Sequence, residues 1–315
     1  MHSEKKIAVV VKHTGSHYLL SDLPEWNPFL SIIRGKLRLE GDNSTNPIAV
    51  GDRVEYLLQE NLKSDNVAVI KKILPRKNCI IRRAANLSKQ SHVIAANIDM
   101  AFLVITIDFP ETKLQFVDRF LVTCEAYSVP VTIIINKMDM YDNNQLLLAQ
   151  KYESIYSKAG YDVIKMSAMN EQDANCLREK CKDKVVLFSG QSGVGKSSII
   201  MSLDNRLNLK VQEISDSHLQ GKHTTTFYQM HPLLSGGFVI DTPGIRGFGL
   251  VDFSHEELSN YFPEMLKIED NCKFAPCTHT HEPGCAVKKA VEEGDISAER
   301  YESYLGMLQE GGKYR

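Results

Sequence analysis

The clearest chemical signal in this 315-residue sequence is a glycine-rich loop, which reads Gly190-Gln191-Ser192-Gly193-Val194-Gly195-Lys196-Ser197. Glycines allow a tight turn in which backbone N–H groups point at phosphate oxygens, and a helix N-terminus adds positive potential. In such a loop the lysine reaches the β- and γ-phosphates and the serine hydroxyl binds Mg²⁺. The apolar run 185–188 predicts a strand before the loop, and Ser198 opens a predicted helix after it. This context favours a nucleotide-binding loop, with Ser198 in the set, over a surface turn.

A second motif has the chemistry to recognise a guanine base. It follows the predicted strand 131–135 and reads Asn136-Lys137-Met138-Asp139. A carboxylate at Asp139 accepts hydrogen bonds from both N1–H and the exocyclic amine of guanine, whereas adenine has no donor at the first position. Asn136 can brace neighbouring loops, and the Lys137 stem can cover the base. After another predicted strand, a backbone contact to the base oxygen fits Ser167-Ala168.

Two further segments predict a site for magnesium and the γ-phosphate. Asp241 would hold Mg²⁺ through a water, and the Gly244 N–H would bind the γ-phosphate. A threonine hydroxyl in the segment 221–226 could complete the Mg²⁺ shell and sense the γ-phosphate. Many GTPases place a glutamine directly after this glycine to orient the attacking water, but Ile245 stands here. We therefore expect slow hydrolysis by the isolated chain. The candidate for positioning the water is His223, and the alternative is a histidine that shapes the loop or contacts RNA.

The order of these motifs along the chain is unusual, because the base-reading residues precede the phosphate loop. A sheet keeps its spatial arrangement in a circularly permuted chain if the old termini lie close together. The permutation also joins the segment after Asp241 directly to the C-terminal region. Contacts to the γ-phosphate could therefore reposition that region as a rigid lever.

Potential metal ligands crowd together near the C-terminus, at Cys272, Cys277, His279 and Cys285. Three thiolates and one imidazole are the ligand types of a closed, tetrahedral, structural zinc site, and we expect one zinc ion. Spacing alone leaves His281 as an alternative to His279. The odd total of seven cysteines also favours a metal site in a reducing compartment over a disulfide framework.

The composition changes along the chain and predicts a multidomain protein. Short strands without a good helix over 1–75 predict an oligonucleotide-binding (OB) barrel. The alternative is a β-domain that has only a packing role. Residues 76–92 predict a basic linker. Alternating strands and helices over 93–249 predict a circularly permuted G domain with a mainly parallel sheet, and 250–315 predict a small helical zinc-binding domain. A solvated connector or contacts to RNA phosphates would account for the basic residues Lys71, Lys72, Arg76, Lys77, Arg82 and Arg83.

The overall composition is that of a globular protein without a strong charge. The chain is 43% hydrophobic and 24% charged, with a formal net charge of −2, so binding to nucleic acid requires a local basic patch. The first residues lack the apolar core of a signal peptide, and no apolar run approaches the length of a membrane span. We expect a cytoplasmic monomer without a membrane partner.

Taken with these motifs, the sequence resembles the ribosome small subunit-dependent GTPase A family, known as RsgA, YjeQ or YloQ. The resemblance covers nearly the whole chain and rests on the permuted motif order and the Cys/Cys/His/Cys knuckle, with the barrel as its least diagnostic part. It implies GTP hydrolysis stimulated by the small ribosomal subunit, contact with rRNA, and a role in late subunit maturation. It also implies that His279 is the zinc ligand and that Thr225 is the switch threonine of the magnesium site.

Two other functions fit the same residues. In one, the chain is a GTP-regulated RNA- or ribosome-binding module in which hydrolysis is incidental. In the other, it is a permuted GTPase that acts on a different RNA or protein. Phosphate release with and without ribosomal subunits separates the first of these from an enzyme, and co-sedimentation with separated subunits addresses the second.

Overall fold

The structure is a computed structural model that describes residues 5–14, 17–33, 48–59, 67–83, 91–207, 228–241 and 257–311. Its elements follow one another as β1 (Lys6–His13), β2 (Tyr18–Ser21), β3 (Phe29–Ile33), β4 (Arg53–Gln59), β5 (Val67–Ile73), β6 (Cys79–Arg83), β7 (Ser91–Ala96), β8 (Met100–Ile105), α1 (Leu114–Ala126), β9 (Val131–Ile135), α2 (Asn143–Ala159), β10 (Asp162–Lys165), α3 (Glu171–Cys181), β11 (Val185–Ser189), α4 (Lys196–Leu203), β12 (Gln229–Pro232), β13 (Phe238–Asp241), α5 (Pro263–Leu266), α6 (Ala286–Glu293) and α7 (Ala298–Gly311).

The chain forms two compact units and passes between them more than once. The first unit contains residues 1–101, 168–189 and 196–247, and the second contains 102–167, 190–195 and 248–315. The second unit therefore combines the base motif, most of the phosphate loop and the C-terminal helices.

The first unit begins with a closed five-stranded barrel. Strand β1 pairs antiparallel with both β2 and β4, β4 pairs with β5, and β3 pairs with β5 in parallel. Alternate residues of the strands point inward, so that Ala8 and Val10 of β1 and Ala68 and Ile70 of β5 share one apolar core. This closure confirms the OB-type barrel that the short N-terminal strands predict.

Beyond the barrel, the first unit holds strands that belong to the predicted α/β region. Strands β11 and β13 pair in parallel, and β12 pairs antiparallel with β13. Strand β12 also meets β1 through the pair Lys12 and Gln229, which continues the sheet from the barrel. Strands β6 and β7 form a separate antiparallel pair. Strand β6 lies within the stretch 76–92, which the sequence presents as a basic linker.

The second unit pairs β9 with β10 in parallel and β9 with β8. The sequence pattern predicts a helix over 143–159, and helix α2 has these bounds because both of its ends carry strong signals. At its start, Asp142 and Gln145 form a capping box, and at its end Gly160 adopts a left-handed conformation with φ of 102°. The alternation of strands and helices thus holds as predicted.

The C-terminal helices of the second unit pack against α1. Val122 of α1 shares an apolar core with Phe262, Met265 and Tyr304. Within the same core, the guanidinium of Arg300 lies 1% exposed and contacts carboxylates of two other helices. The C-terminal region therefore relies on α1 as well as on its own residues for burial. Within the part of the chain that the structure describes, no helix is long and apolar enough to cross a membrane.

Candidate functional site

The phosphate loop takes the tight turn that its glycines allow. Gly190 has φ of 143°, and a Cβ atom there would lie 2.2 Å from the carbonyl oxygen of Val104. Gly195 has φ of 93°, and its Cβ would lie 2.3 Å from Nδ2 of Asn136. Any other residue would clash with the backbone of β8 at the first position, and at the second it would displace the Asn136 side chain. Helix α4 begins at Lys196, directly after the loop, as a phosphate site requires.

The base motif is hydrogen-bonded to the phosphate loop. The buried side chain of Asn136 donates from Nδ2 to the carbonyl of Val194 at 2.9 Å. The Lys137 ammonium donates to the carbonyl of Gly193 at 2.8 Å and also to that of Phe109. Lys137 is held in a left-handed conformation with φ of 65°, which turns the chain out of β9. The residues joined by the hydrogen bonds between the two motifs are 56 and 58 positions apart in sequence, so the two motifs form one assembled site within the second unit.

A third segment, which the sequence interpretation missed, belongs to the same site. We call residues 106–112, between β8 and α1, the 106–112 loop. It supplies the Phe109 carbonyl to Lys137, and a Cβ on Gly193 would lie 3.2 Å from Cδ of Pro110. The only signal in the sequence is the aromatic–proline pair Phe109-Pro110, which marks a turn but gives no partner.

The other residues predicted to contact the base lie at the ends of β9 and β10. Asp139 is exposed in the short turn Met138–Met140, so its carboxylate is available to a ligand. The Met138 N–H donates to the carbonyl of Met166 at 3.2 Å, which joins this turn to the strand end that precedes Ser167 and Ala168. Of these two residues, Ser167 is buried in the second unit, and Ala168 begins the next stretch of the first unit.

The γ-phosphate and magnesium residues can be placed only in part. Ser197 and Ser198 are exposed in the first turn of α4. Asp241 is the last residue of β13, and the structure describes its backbone but not its side chain. Of the residues predicted for this part of the site, His223, Thr225 and Gly244 lie outside the described ranges.

The four predicted metal ligands converge in the second unit. Their ligand atoms all lie within 4.8 Å of one another, at Cys272, Cys277, His279 and Cys285. Nδ1 of His279 is 3.7 Å from Sγ of Cys272 and 3.4 Å from Sγ of Cys285, and these two sulfurs are 4.0 Å apart. Tetrahedral zinc with its usual bond lengths separates sulfurs by about 3.8 Å and sulfur from nitrogen by about 3.5 Å. The cluster thus has the dimensions of a metal site, and His281 is not part of it.

The surroundings of this cluster suit a cation. Backbone N–H groups of Ala286 and Lys288 donate to Sγ of Cys272 and Cys285, respectively. Burial raises the pKa of the Cys277 thiol to about 12, so only a bound cation would keep this thiol deprotonated near neutral pH. Helix α7 fixes the loop between the ligands, because Tyr301 and Tyr304 donate to backbone carbonyls there.

The basic candidates for RNA contact differ in their surroundings. Lys71 and Lys72 are exposed on β5. Arg76 instead pairs with the buried carboxylate of Asp52 through two hydrogen bonds of 2.7 and 2.8 Å, and its side chain is 13% exposed. Lys77 pairs with Asp99. The structure places the backbone of Arg82 and Arg83 in β6 but does not describe their side chains.

Comparisons with known proteins agree with this site. The family model described as RsgA GTPase matches residues 73–251. A protein of Bacteroides fragilis named small ribosomal subunit biogenesis GTPase RsgA is 49% identical over 309 residues, which cover 98% of each chain. A protein of the same name from Flavobacterium psychrophilum is 47% identical over 303 residues, covering 96% of this chain and 92% of that protein.

Two solved structures share the fold. The crystal structure of YjeQ from Thermotoga maritima has a TM-score of 0.79 and 34% sequence identity, covering 99% of this chain and 100% of that one. The structure of YloQ, described as a circularly permuted GTPase, has a TM-score of 0.74 and 30% identity, covering 100% of this chain and 97% of that one. Since the family model matches more than half of the chain and these relatives cover nearly all of it, the chain belongs to the RsgA GTPase family.

Proposed function

We propose that this chain hydrolyses GTP in the biogenesis of the small ribosomal subunit, bound to that subunit and its rRNA late in maturation. The observation that carries the proposal is the assembly of a base-reading motif and a phosphate loop through Asn136, Lys137 and their backbone partners. The relatives that match the chain over nearly its full length are named for this activity and this process.

Each side chain of the proposed nucleotide site has a role that follows from its chemistry. Asp139 accepts two hydrogen bonds from guanine, while backbone groups of Ser167 and Ala168 contact the base oxygen. Backbone N–H groups of the loop hold the phosphates, together with the ammonium of Lys196. A proposed magnesium ion, held by Ser197, Thr225 and Asp241, would neutralise charge on the β- and γ-phosphate oxygens.

Supporting residues complete this proposed site. The Gly244 N–H binds the γ-phosphate, and His223 orients the attacking water. The remaining contacts come from the phosphate-loop residues and their neighbours, Met138, Gly190, Gln191, Ser192, Gly193, Val194, Gly195 and Ser198. The Cys/His cluster holds one structural zinc ion, since its ligands leave no position for a substrate.

The experiment that tests the enzymatic proposal measures phosphate release under multiple turnover, with GTP and with ATP. Purified small subunits are added in one arm and large subunits in another. We expect slow release from GTP alone, a strong increase with small subunits only, and little release from ATP. A single burst without turnover would instead support a module that holds GTP as a regulatory ligand, and stimulation by another RNA would redirect the proposal.

The exposed pair Lys71 and Lys72 supports RNA contact through the barrel unit. Replacing both by alanine is expected to weaken co-sedimentation with small subunits and to flatten its dependence on salt, because fewer counterions are released from RNA. The matched control removes two exposed lysines outside the barrel, Lys180 and Lys182. We further propose that the chain acts as a monomer in the cytoplasm. Its proposed domains are the barrel (1–75), the basic linker (76–92), the G domain (93–249) and the zinc-binding domain (250–315).

A further inference from the structure

The 106–112 loop is held in place by a chain of hydrogen bonds that returns to the base motif. The N–H of Phe109 donates to Oδ1 of Asp108 at 2.7 Å, and Nε2 of Gln145 donates to Oδ2 of the same carboxylate at 3.0 Å. The carbonyl of Phe109 in turn accepts from the ammonium of Lys137. We call Asp108, Phe109 and Gln145 the Asp108 brace.

The orientation of the Gln145 side-chain amide is fixed by a second hydrogen bond. Its Oε1 accepts from the N–H of Asp142 at 2.9 Å, in the capping box that starts α2. Gln145 therefore presents Nε2 and not Oε1 to the loop, and only an acceptor such as the Asp108 carboxylate satisfies it. Because α2 starts just after the base motif, the brace ties the loop to the motif from a second side.

Other contacts show that the loop conformation is imposed and not intrinsic. Phe109 has φ of 59°, a left-handed conformation that a bulky residue rarely adopts without support. The hydroxyl of Thr106 donates to the carbonyl of Pro110 at 2.5 Å, which closes the turn. The hydroxyl of Tyr141 donates to the carbonyl of Asn136 at 2.7 Å and accepts from the N–H of Ile107 at 2.9 Å. The loop and the base motif are thus joined at two points.

We propose that Asp108 is a positioning residue for nucleotide binding, acting through the Phe109 carbonyl on Lys137 and through Lys137 on the phosphate loop. The Lys137 ammonium donates to two carbonyls, those of Phe109 and Gly193, and in the proposed site its stem would cover the base. If the Phe109 carbonyl turns away, the ammonium loses one of its two anchors, and the base motif and the phosphate loop are no longer held at a fixed separation. The inference rests on the proposed function of this same site.

Exchanging the two interacting groups gives a sharp test. In Asp108→Asn, an amide N–H₂ can face Nε2 of Gln145, so two donors oppose each other. In Gln145→Glu, a carboxylate faces the carboxylate of Asp108. The double variant restores one donor and one acceptor and keeps the net charge of the wild type, while Glu at this position still completes the capping box.

The measurement is the dissociation rate of a fluorescent GDP analogue, chased with excess GDP, in the full-length protein. We expect each single variant to release it about tenfold faster, as fits the loss of a charge-assisted hydrogen bond. The double variant is expected within about threefold of the wild type. The control is Glu292→Gln, which removes an exposed carboxylate from α6 in the same unit and is expected to leave the rate unchanged.

Thermal melting distinguishes positioning from general stability. A carboxylate in the first turn of a helix is favourable and offsets the repulsion from Asp108, so Gln145→Glu is expected to melt close to the wild type while it releases nucleotide faster. Turnover at saturating GTP is expected to stay within about twofold, because the brace acts on binding. Single-variant rates equal to that of Glu292→Gln, or no recovery in the double variant, would overturn the proposal. Failure of the wild type and the control to bind GDP would instead refute the proposed function itself.

Discussion

The buried position of Arg300 allows one prediction to be worked out in detail. Its guanidinium donates to Glu264 at 2.7 and 3.1 Å and to Asp118 at 2.8 Å, and all three side chains are at most 6% exposed. The hydroxyl of Tyr156 also donates to Asp118, at 3.0 Å. The ring of Phe262 lies 4.6 Å from the guanidinium carbon. The cluster joins α1, α5 and α7 within the second unit.

Replacing Arg300 by methionine fills much of the same volume but leaves two carboxylates buried without a counter-charge. Breaking a buried ion pair on one side costs about 3–5 kcal/mol, a large share of the 5–15 kcal/mol that holds a typical domain. At about 1.4 kcal/mol per factor of ten, backbone amides of α1 and α7 should exchange hydrogen at least about 100-fold faster. Hydrogen–deuterium exchange with mass spectrometry reports on these helices separately from the first unit.

The pH dependence of this defect has a definite sign. Burial raises the pKa of Asp118, and Arg300 beside it is the strongest influence in the opposite direction. Without Arg300 this pKa rises further, so the folded state binds a proton more readily than the unfolded state. Such a group destabilises the fold above its folded pKa, and the deficit shrinks as pH falls through that value. The loss of protection should therefore be larger at about pH 8 than at about pH 5.

A charge-free control separates unpaired charge from lost packing. The triple variant Arg300→Met, Asp118→Asn and Glu264→Gln keeps the shapes but removes all three charges, and we expect it to regain most of the lost protection. If Arg300→Met exchanges within threefold of the wild type, or if the triple variant is no better than the single one, the buried charges do not hold these helices and the reasoning fails.

Three further variants test the proposed site. Asp139→Asn should weaken GTP binding by about 2–3 kcal/mol in competition titrations and favour xanthine nucleotide, whose 2-oxo group accepts from the new amide; unchanged GTP affinity contradicts this. Cys285→Ser should lower the bound metal measured by elemental analysis and increase amide exchange in 257–311, with GDP binding largely retained. His223→Ala should reduce subunit-stimulated turnover by about 100-fold at nearly unchanged subunit affinity, and a parallel loss of both would make it a contact residue.

The sequence predicts those parts of the fold that local signals determine. Helix α2 has its predicted bounds because Asp142 caps its start and Gly160 ends it. The metal cluster could be predicted because thiolates and imidazole at short spacing have few other uses, and the structure selects His279 between the two histidines. The contact of Asn136 and Lys137 with the phosphate loop could also be expected, because a base-reading motif and a phosphate loop bind two ends of the same nucleotide.

What the sequence does not predict depends on partners that are far apart in the chain. Arg300 is 182 residues from Asp118, and nothing in its neighbourhood distinguishes it from an exposed arginine on a helix. Arg76 looks like a residue of a basic stretch, yet it is paired with the buried Asp52. The part played by Phe109 comes from its backbone carbonyl, which every residue type possesses. No residue pattern could have indicated these contacts.

The buried cluster also limits how the C-terminal region can respond to nucleotide. The sequence suggests a lever, because the segment after Asp241 leads directly into that region. However, swinging the C-terminal helices away from α1 would break the contact of Arg300 with Asp118 and expose the core that Val122 shares with Phe262. Coupling between sites typically supplies about 1–3 kcal/mol, which is less than the cost of breaking such a pair together with its core. We therefore expect helix α1 and the C-terminal helices to move as one body. Since α1 follows the 106–112 loop that contacts Lys137, a displacement of that loop would be transmitted to the C-terminal helices through α1.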